Sequence, residues 1–185
     1  MRPRQSDSRR QLLTLMANAI SQEVSPPPAE APWHAQLEAI GHDYRRVLIG
    51  HRDAVRILLT TLPLGPDRLQ LIERVLAVLR SAGCSPTQAA DAANVFNMFV
   101  TGFVQDETRA LPRTDLGDLP VAQLNEQIRQ SFMHLPVDRY PALVALADEL
   151  VDADMDRQFS FGLNALLSGL AAALAPNDDR RFPPS

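Results

Sequence analysis

The sequence predicts an all-α protein, a helical bundle, on three observations. Apolar residues recur at three- and four-residue spacing along most of the chain. No segment combines sustained apolar/polar alternation with β-branched enrichment. Pro, Gly and Ser interrupt the periodic runs where helices start and stop.

A first helix runs from Asp7 or Ser8 to Glu23, with Leu12, Leu13, Leu15, Met16, Ala19 and Ile20 apolar, and ends before the prolines Pro26, Pro27 and Pro28. Pro32 suits a first-turn position, and Trp33, Leu37, Ile40, Tyr44, Val47 and Leu48 then carry a second helix to Gly50. A shorter helix spans His51 to Thr61 and stops at Leu62-Pro63. Gly65-Pro66 opens the next, whose apolar face is Leu69, Ile72, Val75, Leu76 and Leu79, with Gly83 where a C-terminal cap belongs. Ser85 and Pro86 are an N-cap and a first-turn proline for a long helix through Ala89, Ala93, Phe96, Val100, Phe103 and Val104 towards Arg109. Leu111 to Leu119 reads as a loop, Val121 to His134 as a modest amphipathic helix, and Pro141 to Val151 as a short one.

The last helix, Asp154 to Leu174, has two faces from Phe159 onwards. Leu163, Leu166, Leu167, Leu170 and Leu174 recur at helical spacing, while Gly162, Ala165, Gly169 and Ala172 form a stripe of very small side chains. An interior Gly costs a helix about 1 kcal/mol relative to Ala, so two of them need a compensating reason, and close approach of another helix supplies one. The pattern alone leaves open whether that helix is in the same domain or in a second subunit. Asn177 to Ser185, with two prolines and paired charges, reads as a flexible tail.

At 185 residues the chain suits one domain. A formal charge of -4 and a pI near 5.5 argue against unaided nucleic-acid binding by this stretch, basic character being local to Arg2, Arg4, Arg9 and Arg10. All the basic residues other than His are Arg, which removes Schiff-base and phosphate-loop lysine chemistry. Cys84 is the single cysteine, excluding an intrachain disulfide and a multi-cysteine metal site. With no secretory leader and no bilayer-length apolar run, the expectation is a soluble cytoplasmic protein with no membrane partner.

The chemistry-bearing residues do not assemble a catalytic motif. His34, His42, His51 and His134 include no i,i+4 pair, so no metal is expected. The carboxylate of His51-Arg52-Asp53 is accounted for by a helix start, as are those of Asp152, Asp154 and Asp156, which lack the glycine and closing glutamate of a calcium loop. No nucleophile turn of the G-x-S-x-G kind is present, and a helical enzyme built on His51 and Asp53 has no spacing that gathers its groups. No enzymatic activity and no cofactor are expected. More suggestive are Asn94, Asn97 and Thr101, which share a face of the long helix. They suit either a small-molecule cavity, with Tyr44, Thr60 and Thr61 lining the same space, or simply the wet side of the helix.

Several strings in order resemble the C-terminal regulatory domain of the TetR family of bacterial transcriptional repressors, in the branch close to the tetracycline repressors. They are Ser8-Arg9-Arg10-Gln11-Leu12-Leu13, Trp33 opening a helix, Gly50-His51-Arg52-Asp53, and Leu79 to Ser85 with Gly83. Gly102-Phe103-Val104-Gln105-Asp106-Glu107, Tyr140-Pro141 and Phe159-Ser160-Phe161-Gly162-Leu163 through Gly169-Leu170 continue the series. The resemblance implies a linking helix over 1–24, a ligand-binding and dimerisation domain over 25–176, and a tail over 177–185. It implies a homodimer in which the long helix and the last helix of each subunit form a four-helix interface, using Phe161, Gly162, Ala165, Leu166, Gly169 and Ala172. It also implies an effector cavity containing Tyr44, Leu58, Thr61, Arg74, Asn97 and Thr101.

Two departures from the family pattern shape what is expected. The chain starts where the family's connecting helix starts, so the helix-turn-helix that would contact DNA is expected to be absent from it. At the position matching a histidine of the family's magnesium-tetracycline site stands Leu58, which cannot serve a hard cation. The position matching an acidic residue that lies behind the metal's direct ligands in that site keeps its carboxylate as Asp106, and the positions facing the drug's polar edge carry Ile40 and Arg74. The expected effector is therefore a small, largely apolar, metal-free compound that releases a repressor. The alternative is a helical dimeric adaptor with no DNA-binding activity.

Overall fold

The computed structural model describes residues 3–51, 53–108, 121–151 and 154–174, with side chains from residue 8 and without that of Val121. They form nine helices, and no strand occurs among them. These are α1 (Pro3–Gln22), α2 (Trp33–Gly50), α3 (Ala54–Thr60), α4 (Pro66–Ser81), α5 (Pro86–Glu107), α6 (Val121–Met133), α7 (Pro141–Ala145), α8 (Ala147–Val151) and α9 (Met155–Leu174). No helix among the described residues is long and apolar enough to cross a membrane. The loop and tail expected at Leu111–Leu119 and Asn177–Ser185 lie outside the described residues.

The punctuation signals act as the sequence indicates. Pro66, Pro86 and Pro141 each stand in a first turn, where the missing N–H would have had no intrahelical partner. Ser85 and Gln88 close a capping box: the Ser85 hydroxyl accepts from Gln88 N–H at 3.2 Å and the Gln88 side chain accepts from Ser85 N–H at 2.9 Å. At the end of α4, Gly83 takes a φ of 93° while its N–H reaches Arg80 O at 3.1 Å and Cys84 N–H reaches Leu79 O at 3.2 Å. This is the two-bond Schellman ending, which needs the left-handed conformation that glycine adopts without strain. Asp154 Oδ1 accepts from Arg157 N–H at 3.0 Å, so the carboxylate at the start of α9 caps the helix.

Four boundaries differ from the sequence reading. The first helix begins at Pro3. Pro32 is the N-cap of α2, one residue earlier than a first-turn place. The helix expected from His51 starts only at Ala54, because Asp53 adopts a left-handed φ of 64° that a helix cannot continue through. The helix expected over Pro141–Val151 is broken at Leu146, whose φ of -112° and ψ of 17° leave the helical region and separate α7 from α8.

The chain forms two compact units, residues 1–108 with 161–185, and residues 109–160. In the first, α2, α4 and α5 pack against one another, and α1 lies across α3 and α4. Its core is Leu37, Ile40, Val47 and Leu48 of α2, Leu79 of α4, Phe96, Val100 and Val104 of α5, and Leu163 and Leu167 of α9. Near the end of α5, Arg45 grips Glu107 through Nε–Oε2 at 2.9 Å and Nη2–Oε1 at 2.6 Å while its guanidinium sits 5.6 Å from the Phe103 ring. In the second unit α6 packs on α7 and α8, with Arg129 Nε 2.9 Å from Asp148 Oδ1 and the Asn125 amide donating to Val151 O at 3.4 Å.

Two helices turn a different face inward than periodicity alone suggests. On α4 the buried residues are Leu71, Val75, Val78 and Leu79, whereas Leu69 and Ile72 are exposed. That helix meets α1 on one side and α2 and α5 on others, so its buried arc is wider than a single stripe and displaced from it. On α1 the buried positions are Ala17, Ile20 and Ser21, while Leu12, Leu15 and Met16 are exposed.

Candidate functional site

A cavity of about 220 Å³ lies inside the triangle of α2, α4 and α5. α2 contributes Ile40 and Tyr44, the connection before α4 contributes Pro63, α4 contributes Arg68, Leu71, Ile72 and Val75, and α5 contributes Ala93, Asn94, Phe96 and Asn97. Each set follows helical spacing. Ile40 and Tyr44 are four apart, Arg68, Leu71, Ile72 and Val75 keep to one side of α4, and Ala93, Asn94 and Asn97 do the same on α5. The walls are mostly apolar with a few polar groups set into them, the composition of a small-molecule site.

The polar groups have hydrogen-bonding capacity to spare. Among the described residues, no partner is assigned to the Tyr44 hydroxyl or to the Asn94 and Asn97 side-chain amides. Burial pushes the Tyr44 phenol up to about 12, although Arg68 pulls the other way, so at neutral pH it is an uncharged donor and acceptor. Arg68 is half-buried and held from one side: Nη1 donates to Thr61 Oγ1 at 2.8 Å and Thr61 O at 3.2 Å, and Nη2 donates to Leu58 O at 2.8 Å.

The residues expected from the resemblance to line one cavity take different places. Tyr44 and Asn97 line the cavity. Leu58 and Thr61 are not in its wall; they hold Arg68 from behind, Leu58 through its backbone carbonyl. Thr101 is buried one turn further along α5, where its hydroxyl donates to Asn97 O at 2.7 Å. Arg74 points elsewhere, its Nη1 donating to Val24 O at 2.7 Å at the end of α1. It stands one position from the cavity-lining Val75, a rotation of about 100° around the helix. Asp106 is exposed near the end of α5 and outside the wall. Ile40, placed by the resemblance at the polar edge of a ligand, does line the cavity.

Among the polar residues lining the cavity, Arg68 is the one that the sequence does not single out. A signal was present, since Arg68 is four residues before Ile72 and seven before Val75, on the same stripe. In sequence its position in the first turn, after Gly65-Pro66-Asp67, reads as an ordinary solvated arginine.

The glycine stripe of α9 also resolves into separate cases. A Cβ on Gly162 would come within 2.6 Å of Phe99 Cε2 of the same chain, so this glycine admits an intramolecular neighbour. A Cβ on Gly169 would meet nothing within 4 Å. Phe161, Ala165, Gly169 and Ala172 are exposed, Phe161 by 77%, whereas Gly162 and Leu166 are intermediate.

The titratable residues outside the cavity are otherwise engaged. His51 Nε2 lies 2.9 Å from Glu23 Oε1 and Asp53 Oδ2 lies 3.3 Å from Arg56 Nη2, so these two side chains of a hypothetical acid–base pair have different partners. Among the described residues no group of three or more His, Cys, Asp or Glu side chains is placed to hold a metal ion.

Residues 25–174 match the family model described as the tetracyclin repressor-like C-terminal domain. The HTH-type transcriptional repressor DrrR1 of Streptomyces coeruleorubidus is 26% identical over 171 residues, covering 89% of this chain and 62% of the relative. The class G tetracycline repressor protein of Vibrio anguillarum is 28% identical over 177 residues, covering 92% of this chain and 78% of the relative. The chain thus spans less than two thirds of the first of these proteins. Among solved structures, the Streptomyces coelicolor TetR family protein ActR in complex with actinorhodin superposes with a TM-score of 0.79 at 30% identity, covering 91% of this chain and 78% of ActR.

Proposed function

Since the chain belongs to the tetracyclin repressor-like C-terminal domain family of TetR regulators, we propose that it is the effector-sensing and dimerising part of a transcriptional repressor. The observation that carries this reading is the α2–α4–α5 cavity, an apolar space of about 220 Å³ into which Tyr44, Arg68, Asn94 and Asn97 bring unspent hydrogen-bonding capacity. Relatives of this chain are repressors by name, and ActR holds actinorhodin. In this reading a small, metal-free and largely apolar effector enters the cavity.

Binding then shifts a two-state arrangement of the helices around the cavity. α1 is the mechanical link, because it packs on α3 and α4, the helices whose residues hold and carry Arg68. DNA is contacted by a helix-turn-helix joined ahead of α1, and the exposed Leu12, Leu15 and Met16 offer apolar surface to such a neighbour. Two copies associate through α5 and α9.

Native mass spectrometry of the protein purified from its own host tests both halves of the proposal. The expected spectrum is a dimer retaining a small molecule. Asn97→Trp, which fills the cavity, is expected to lose the molecule and keep the dimer. Loss of the dimer and the molecule together would count against the cavity assignment.

A further inference from the structure

The cavity contains one full charge that its own wall does not answer. No carboxylate is among the described residues lining it, and the neighbouring Asp67 carboxylate is bonded to the Asn18 amide of α1. Burial pulls the Arg68 pKa down, with only the Tyr44 oxygen opposing, yet a guanidinium stays protonated at any neutral pH. Charged groups taken out of water are ordinarily paired.

The geometry of Arg68 says which pairing is left open. Thr61 accepts from Nη1 twice and the Leu58 carbonyl accepts once from Nη2. The Nε–H and one of the two Nη2 hydrogens have no partner among the described residues. The same edge of Arg45 shows what it can do, since there Nε and Nη2 grip the two oxygens of Glu107.

We propose that the Nε/Nη2 edge of Arg68 is the specificity element for an organic carboxylate, whose flat apolar body lies along Leu71, Val75 and Phe96 with its far end at Asn97. The inference rests on the cavity being the effector site and names the chemical class of the effector. An uncharged ligand filling the space would strip water from a cation and return at most a neutral hydrogen bond. A carboxylate replaces that water with two charge-assisted hydrogen bonds, and the un-ionised Tyr44 hydroxyl adds a donor without adding a competing negative charge. Thr61 and the Leu58 carbonyl hold the guanidinium in place beforehand, which limits the ordering cost of binding.

The test compares 2-naphthoate with its neutral isostere 2-naphthamide by isothermal titration calorimetry on the full chain. The volume of about 220 Å³ suits a body of two fused rings. For the unchanged protein the acid is expected to bind about tenfold to a hundredfold more tightly than the amide. Arg68→Gln should bring the acid down to the affinity of the amide, and Arg68→Lys, which keeps the charge but loses the parallel donors, should retain part of the preference. Equal binding of acid and amide to the unchanged protein, with both excluded by Asn97→Trp, would overturn the carboxylate assignment and leave the cavity reading standing. Failure of both probes to bind at millimolar concentration would overturn the two readings together. Full preference for the acid in Arg68→Gln would overturn the role of Arg68. If Arg68→Gln does not fold by circular dichroism, the acid–amide comparison on the unchanged protein and on Arg68→Lys decides.

Discussion

Gly162 and Gly169 stand one heptad apart on α9 and are glycine for different reasons. At 162 the space of a methyl group is already taken by the Phe99 ring, 2.6 Å from Cε2 and 2.8 Å from Cζ. Gly162→Ala is therefore expected to destabilise the fold by about 1–3 kcal/mol through overpacking, despite the better helix propensity of alanine. Phe99→Leu in the same chain should recover part of the loss, and urea unfolding of the single and double variants measures both. Gly169 has open space in front of it within the chain, so its reason lies outside the subunit in the reading proposed above. The sequence showed the stripe but not which neighbour each position has, because spacing on one helix carries no information about the ring of another. The same limit governed the cavity. Tyr44 and Asn97 were legible as polar residues on apolar faces, whereas Arg68 became visible as a site residue only when Pro63, α2 and α5 enclosed it.

At the scale of elements, α1 is joined to α4 by a cap supplied from another helix. Asn18 Oδ1 accepts from Asp67 N–H at 2.8 Å and from Arg68 N–H at 3.3 Å, and the Asn18 amide donates to the Asp67 carboxylate. An N-cap oxygen ordinarily comes from the residue before the helix, here Gly65, which has no side chain to offer. Asn18→Ala leaves those N–H groups without their acceptor and is expected to cost about 0.5–2 kcal/mol, read as a lower midpoint in urea unfolding. One of these bonds is made by a cavity residue itself, since the capped Arg68 carries the guanidinium into the cavity. A substitution on α1 should therefore alter 2-naphthoate affinity as well as stability, by up to about tenfold for a coupling at the low end of the usual range. Calorimetry on Asn18→Ala checks this, and an unchanged affinity would show that α1 and the cavity are energetically independent.

At the scale of the whole molecule, the exposed apolar surface on α5 and α9 bears on assembly. Val95 and Met98 of α5 and Phe161 of α9 are large exposed hydrophobic residues, and Ala165, Gly169 and Ala172 continue the α9 surface with small ones. Small side chains permit close approach of helix backbones, the requirement for interdigitating two helices from one copy with two from another. Light scattering is expected to give twice the chain mass of 20.4 kDa. Phe161→Asp, which brings a charge into the proposed contact, should shift the particle to the single-chain mass, with circular dichroism showing the helices retained. A single-chain mass for the unchanged protein in concentrated solution would overturn dimerisation through this surface.

What the sequence determined by itself was the class of the fold and most of its boundaries. Helical periodicity, the Ser85–Gln88 capping box, the prolines in first turns and the left-handed Gly83 act within one helix or one turn, and a linear sequence contains everything such local physics needs. Only the tertiary structure decided which side of α4 faces inward, that Arg74 reaches Val24 while Arg68 faces the cavity, and that Asn18 caps a helix 49 residues away. Those outcomes depend on the rotation of each helix against partners distant in the chain. A turn of about 100° per residue separates a cavity-lining side chain from one that leaves it, and packing sets that angle.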